Sequence, residues 1–142
     1  MKSRSDIIKS IFERSRIMKK YFGIFCFLIL IFTLTACKTY FNGSRTGNDS
    51  QLIMSYQVFN TTDSQKLTVT EGDIIHAEII VKRGSLSFKI QKDGDLTPVY
   101  EGKDISFSDE FDIEIEESGT YIVTVTGKNT KGSVHFGLTS NQ

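Results

Sequence analysis

The chain has 142 residues, with 17 Lys and Arg balanced by 17 Asp and Glu. The balance hides a split: 7 of the cations but only 2 of the anions precede Cys37, so the chain from Cys37 onward carries 10 cations and 15 anions. Nucleic-acid binding depends on Lys and Arg neutralising phosphates, so an acidic part of this kind excludes that class of partner. By net charge it also gains nothing from an anionic lipid surface, and solubility explains the excess of acid.

In chain order, the first stretch to explain is Met1 to Ile17. It is longer than the basic opening that an export signal needs, and Met18-Lys19-Lys20 would itself be a complete opening. One reading starts the protein at Met18. The other makes a short amphipathic helix, with Ile7, Ile8, Ile11 and Phe12 on one face.

Behind Lys19 and Lys20 lies an apolar run, Tyr21 to Thr33, followed by Leu34-Thr35-Ala36-Cys37. The run is short for a membrane span, which takes about 20 apolar residues. The order basic, apolar, small is that of a cleaved secretory signal. Leu34-Thr35-Ala36-Cys37 at its end resembles the lipobox of bacterial lipoprotein precursors. That resemblance implies that the Cys37 thiol receives a diacylglyceryl group with palmitate-type chains. It also implies that the signal is then cut just before Cys37. A thiolate is the nucleophile that such a transfer requires, and small residues before it admit a protease. The alternative is an uncleaved anchor. Either way the remainder lies outside the cytoplasm, because the basic flank stays inside. The expected organisation is therefore an extension and signal over 1–36, a flexible lipid-anchored tether over 37–50 and a folded domain over 51–142. The second cysteine, Cys26, falls inside the discarded run, so no disulfide holds the domain. Its stability must come from a hydrophobic core, and 106 residues suffice for one domain.

The tether expectation rests on composition. Asn42, Gly43, Ser44, Gly47, Asn48, Asp49 and Ser50 offer little to bury. After them the apolar pattern has period 2. Leu52, Met54, Tyr56 and Val58 share a face, as do Leu67 and Val69. Ile75, Ala77, Ile79 and Val81 follow a turn at Glu71-Gly72-Asp73. Arg83-Gly84 reads as the next turn, before Leu86, Phe88 and Ile90. Lys92-Asp93-Gly94-Asp95 is a hairpin signal, since Asp-Gly suits positive φ. Val99 and Tyr100 make a short strand near Pro98, and Ile105 and Phe107 begin another extended stretch. Phe111, Ile113 and Ile115 alternate with acids up to a turn at Ser118-Gly119. Tyr121, Val123 and Val125 lead to a turn at Gly127-Lys128-Asn129, and Val134, Phe136 and Leu138 close the pattern.

About eight strands, each with one apolar face, must pack sheet on sheet or close into a barrel. The expected fold is an all-β antiparallel β-sandwich of Greek-key or jelly-roll type, with a small closed barrel as the alternative. Gly119-Thr120-Tyr121 leading into Val123 and Val125 resembles the late strands of small bacterial jelly-roll modules of the pre-peptidase C-terminal type. That resemblance implies accessory or adhesive roles rather than chemistry.

Candidate chemistry is thin. Asp93, Asp95, Asp104, Asp109, Glu110 and Asp112 lie in or beside turns, and calcium takes six to eight oxygens from such loops. A hairpin turn and a solvated strand face are the plainer reading. His76 and His135 are the only histidines and fall on outward faces, with no second thiolate to complete a zinc site. No Gly-x-Ser-x-Gly elbow or phosphate-binding glycine loop occurs; Arg83-Gly84-Ser85-Leu86-Ser87 lacks the second glycine. The chain has no Trp, so Tyr56, Phe59 and Tyr100 are the candidate sugar platforms, against a core role for each.

The expectation is a membrane-tethered module in the bacterial cell envelope, facing outward. It would be non-enzymatic and without a cofactor, serving binding or structure. Its partner is the membrane, through lipid on Cys37; the residues name no protein or glycan partner. The alternatives are an accessory module for calcium or cell-wall glycan, or an envelope enzyme.

Overall fold

The computed structural model describes residues 3–32 and 40–139. The chain divides into two units, Met1–Cys37 and Lys38–Gln142. Among the described residues, the first holds one helix, α1 (Arg4–Phe32), which runs from the N-terminal extension through the basic pair and the apolar residues Tyr21–Phe32. Ser3 stands at its start, its carbonyl accepting from the Asp6 amide at 3.0 Å, and Asp6 complements the positive end of the helix dipole. Ile7, Ile8, Ile11 and Phe12 are all exposed on it. Among the described residues, no helix is long and apolar enough to cross a membrane. The expected lipid-bearing residue, Cys37, and the three residues before it lie outside the described residues.

Among the described residues, the second unit contains seven strands: β1 (Tyr40–Asn48), β2 (Gln51–Asn60), β3 (Thr62–Val69), β4 (Ile74–Lys92), β5 (Tyr100–Ile105), β6 (Asp109–Glu114) and β7 (Gly119–Thr139). Every pairing is antiparallel. The order is β1-β2-β7-β4-β5, with β3 also on β7 and β6 also on β4. This sheet does not close into a barrel. It folds over on itself, and the result is a β-sandwich.

The folding is done by the two long strands. The C-terminal half of β7 pairs with β2 and its N-terminal half with β3. The N-terminal half of β4 pairs with β6 and its C-terminal half with β5. One layer therefore contains β1, β2, the end of β7, the start of β4 and β6. The other contains β3, the start of β7, the end of β4 and β5. Both long strands change register at the same level, at Arg83 on β4 and opposite it between Lys128 and Gly132 on β7. A bulge adds a residue and switches side-chain parity. Thus β4 buries Ile75, Ala77 and Ile79 before the bend and Leu86, Phe88 and Ile90 after it. Likewise β7 buries Tyr121, Val123 and Val125 and then Val134 and Phe136.

These bends correct the sequence reading. Arg83-Gly84 and Gly127-Lys128-Asn129, expected as chain-reversing turns, are corners inside continuous strands. A bulge interrupts alternation as a turn does, so the local pattern is the same. Thr130, fully buried, holds the β7 corner: its hydroxyl donates to the Ser85 carbonyl and accepts from the Lys128 amide at 3.1 Å. Gly132 approaches so closely that a Cβ there would lie 1.8 Å from the Ile80 carbonyl oxygen.

The core sits between the layers. Phe88, from one layer, has ring centroids 5.6 Å from Phe136 and 5.4 Å from Phe111, both from the other. A bulge in β2 turns Phe59 inward, fully buried, where Val58 was expected to face the core and is only partly covered. Tyr56 and Phe59 are thus core residues. The Tyr56 hydroxyl is enclosed without a hydrogen-bond partner among the described residues, and burial raises its pKa.

The expected flexible tether over 37–50 is also corrected. Most of it, Tyr40–Asn48, is β1, paired with β2 along its length. Its backbone pairing supplies most of the hold, since its side chains bury little. As an edge strand it keeps polar residues in water, while Phe41 packs edge-on against Phe59 at 5.9 Å. Arg45 reaches across to β3, with Nε 2.9 Å from Asp63 Oδ2 and Nη2 donating to the Ser64 carbonyl.

The folded sheet gives the domain two unlike ends. One carries the corners: Asn60–Thr62, Lys82–Ser85, Ser106–Ser108 and Lys128–Lys131, with the start of β1 beside them. The other is open and carries the loops 70–73, 93–99 and 115–118. Two of these loops, which pass between the layers, are locked together. The Gly72 amide donates to the Ile115 carbonyl at 2.8 Å, the Ile115 amide to the Asp73 carbonyl at 2.9 Å and the Glu71 amide to Ser118 Oγ at 2.8 Å.

Candidate functional site at the open end

At the open end, the mouth between the layers forms a cleft of about 370 Å³. Its floor is apolar, from the buried side chains of Ile113 near the end of β6, Ile115 just after it and Tyr121 near the start of β7. Its walls are charged: Lys92 ends β4, Asp95 and Val99 come from the β4–β5 loop, Glu114 ends β6, and Glu116 and Glu117 follow it. The alternation that buries Ile113 and Ile115 leaves Glu114 and Glu116 exposed at its rim.

Lys92 and Glu117 form an ion pair across the cleft. The hydrogen bond to Glu117 raises the Lys92 pKa, and the same bond lowers that of Glu117. For Glu117 the linked stabilisation is present above its unfolded pKa and fades as pH falls through the lower folded value. Both groups are wet enough that salt weakens the pair. The Lys92 stem lies over Gly119, where a Cβ would come within 3.0 Å of Cε. The buried Tyr121 hydroxyl donates to the Glu117 carbonyl at 2.9 Å, and burial raises its pKa. The cleft therefore offers several carboxylate acceptors, one pinned ammonium and an apolar floor. That set suits a ligand rich in hydroxyl or amine donors. On the rim, Leu96 is 97% exposed and Val99 49%.

Of the residues singled out in the sequence, the structure gathers few. The six candidate calcium acids lie in three places. Asp93 and Asp95 are at the open end, where Asp93 pairs with Lys66 at 2.7 Å. Asp104 is at a corner, paired with Lys128. Asp109, Glu110 and Asp112 lie on β6, whose outer face meets His76: Asp112 Oδ1 is 2.7 Å from Nδ1 and Glu110 Oε1 3.5 Å from Nε2. His135 lies on the same outer face, over Gly137, which is opposite His76. Among the described residues, no three His, Cys, Asp or Glu side chains converge to hold a metal ion. Tyr100 is 43% exposed, stacked on Phe88 and tilted against Phe111.

Sequence reading placed Lys92 in a turn signal and Tyr121 in a strand, made neither a candidate for function, and did not mention Glu117. Each flanks a turn, Asp93-Gly94 or Ser118-Gly119, but only the pairing of β4 with β7, which sets Lys92 opposite Tyr121, brings the turns together.

No protein-family model matches the chain, and no curated protein matches it in sequence. Solved structures are similar to it in fold. A periplasmic inhibitor of g-type lysozyme from Aeromonas hydrophila is 16% identical over 63% of this chain and 85% of its own, with a TM-score of 0.46. The pre-peptidase C-terminal domain of a Bacillus anthracis collagenase is 13% identical over 66% and 91%, with a TM-score of 0.49. A low-affinity xylan-binding module from Roseburia intestinalis is 17% identical over 70% and 86%, with a TM-score of 0.34. No residue role passes from any of them to this chain.

Proposed function

We propose that this is a lipoprotein of the bacterial cell envelope, anchored through Cys37 and facing outward. Its β-sandwich is a non-enzymatic binding module that takes its partner at the open end. The observation that carries the binding reading is the cleft itself: an apolar floor, carboxylate walls and a Lys92–Glu117 pair held by the strand ends. The basic-apolar-small segment ending in Leu34-Thr35-Ala36-Cys37 supports the anchor. The donor-rich chemistry that the walls accept is that of a polyhydroxylated or amino-bearing polymer, such as a cell-wall glycan.

The test is co-sedimentation of the domain with insoluble cell-wall glycan, for the parent and for Asp95→Asn with Glu117→Gln. Binding by the parent that weakens at least about tenfold in the variant, the loss of one to two kcal/mol of charge-assisted hydrogen bonding, is expected. Undiminished binding by the variant would move the site elsewhere. No retention of the parent would remove the glycan reading.

A further inference from the structure

The two ends of the domain differ in charge. Glu71, Asp73, Asp93, Asp95, Glu116 and Glu117 crowd the open end, where Lys66 and Lys92 are each already paired. The corner end carries Lys82, Arg83, Lys128 and Lys131. Arg83 is directly opposite Lys131, and Lys128 opposite Ser85, so the four form one group. The acids near them are Asp104, paired with Lys128, Asp109 at the start of β6, and Asp63, which Arg45 neutralises. Among the described residues, Lys82, Arg83 and Lys131 have no salt-bridge partner.

Two exposed aromatics share this end. Phe107 is 62% exposed, on a loop held to the β4 corner where Ser108 Oγ accepts from the Val81 amide at 3.3 Å. Tyr40, 53% exposed, begins β1 opposite Asn60, whose side chain accepts from the Asn129 amide at the β7 corner. Only two residues separate Tyr40 from Cys37. Three residue steps reach at most about 11 Å.

We infer that the corner end is a membrane-contact face whose partner is an anionic phospholipid surface. Lys82, Arg83 and Lys131 meet the headgroup phosphates, Phe107 and Tyr40 enter the interfacial layer, and the open end points away. Cations near such a surface each add attraction, aromatic residues favour the interface, and one lipid anchor gains from a second, electrostatic contact. The whole-domain charge obscures this, because six of the fifteen acids crowd the far end and others lie on the outer face of β6 or are paired with cations. The short link rests on lipidation of Cys37; the face itself does not.

Because the chain has no Trp, single reporters are available. The domain beginning at Cys37 has that residue as its sole thiol, so it can be coupled to a maleimide lipid whatever its native processing. On phosphatidylglycerol vesicles, Phe107→Trp should shift its emission to the blue and be quenched by spin-labelled lipid, while Leu96→Trp should stay unquenched. Replacing Lys82, Arg83 and Lys131 by Ser should lower the docking constant read from the quenched fraction by about a hundredfold, about fivefold per cation. Quenching of Leu96→Trp in place of Phe107→Trp would overturn the face. So would quenching indifferent to the three replacements, or equal on phosphatidylcholine. A native protein shown by intact mass to lack lipid would remove the anchor but leave this measurement unaffected.

Discussion

Phe88 is 4% exposed and touches three other rings, two of them in the opposite layer. Its truncation leaves a cavity that the folded sheet cannot close, so Phe88→Ala should cost about 3–5 kcal/mol in denaturant unfolding. Lys89, one residue on, points to water, and Lys89→Ala should cost about 0.5 kcal/mol or less. Equal costs would mean that the register of β4 is wrong. His76 gives a pH prediction. The Asp112 carboxylate hydrogen-bonded to its ring raises its pKa above 6.5, with burial opposing and Glu110 and Glu78 adding attraction. A raised folded value means that the linked stability is fully present below pH 6.5 and lost as pH rises through the folded pKa. An NMR titration should place His76 above 6.5, and Asp112→Asn should bring it back down. A His76 value that Asp112→Asn leaves in place would contradict this cause.

At the scale of elements, the bends of β4 and β7 decide the architecture. Without them the chain would make a flat sheet with one face bare; with them both halves turn their apolar faces inward. Gly132 should therefore be intolerant. Its φ of 153° and the Ile80 carbonyl at 1.8 Å from any Cβ leave no room, and the obstacle is backbone. Gly132→Ala should cost about 3 kcal/mol. Gly94, in the β4–β5 turn, also has positive φ, 93°, but nothing within 4 Å. Gly94→Ala should cost only about 1 kcal/mol, the strain of the left-handed region. Thermal melts of the two variants would separate close approach from conformation, and a larger loss at Gly94 would refute the assignment of the corner. The period-2 pattern was sufficient to place both halves of each long strand. It was blind to their continuity, because parity switches at a bulge and at a turn alike. It was blind to β1 for another reason: an edge strand is held by backbone hydrogen bonds and by Arg45 reaching Asp63, neither of which leaves an apolar period.

For the whole molecule, the prediction concerns processing. If Cys37 is the lipid-bearing residue, Cys37→Ser should block lipid transfer and cleavage and leave the longer, unprocessed form. The intact mass of the membrane-bound parent should match a chain beginning at Cys37 plus its acyl groups. A mass for an unmodified chain cut elsewhere, or one retaining Tyr21 to Ala36, would end the lipoprotein reading. Two acyl chains, at roughly 0.8 kcal/mol per buried CH₂, suffice to hold a domain of this size. Removing residues 1–37 should leave a folded domain, since the described core residues all come from the second unit.

The sequence by itself determined that the domain is all-β and layered, that Phe88 and its alternating neighbours form the core, and that Lys89, His76 and His135 point outward. Those are consequences of side-chain alternation, which is local and needs no knowledge of partners. It also carries the basic-apolar-small segment before Cys37 on which the anchor reading rests. Only the tertiary structure decided that β4 and β7 each serve both layers, that Tyr40–Asn48 belongs to the sheet, and that Lys92 meets Glu117. It also decided that the cations of the β4 and β7 corners gather at one end and the acids of the loops at the other. Charge counted along the chain sums these ends to a uniform acidity. The fold separates them, because each bend returns the strand toward the end from which it came.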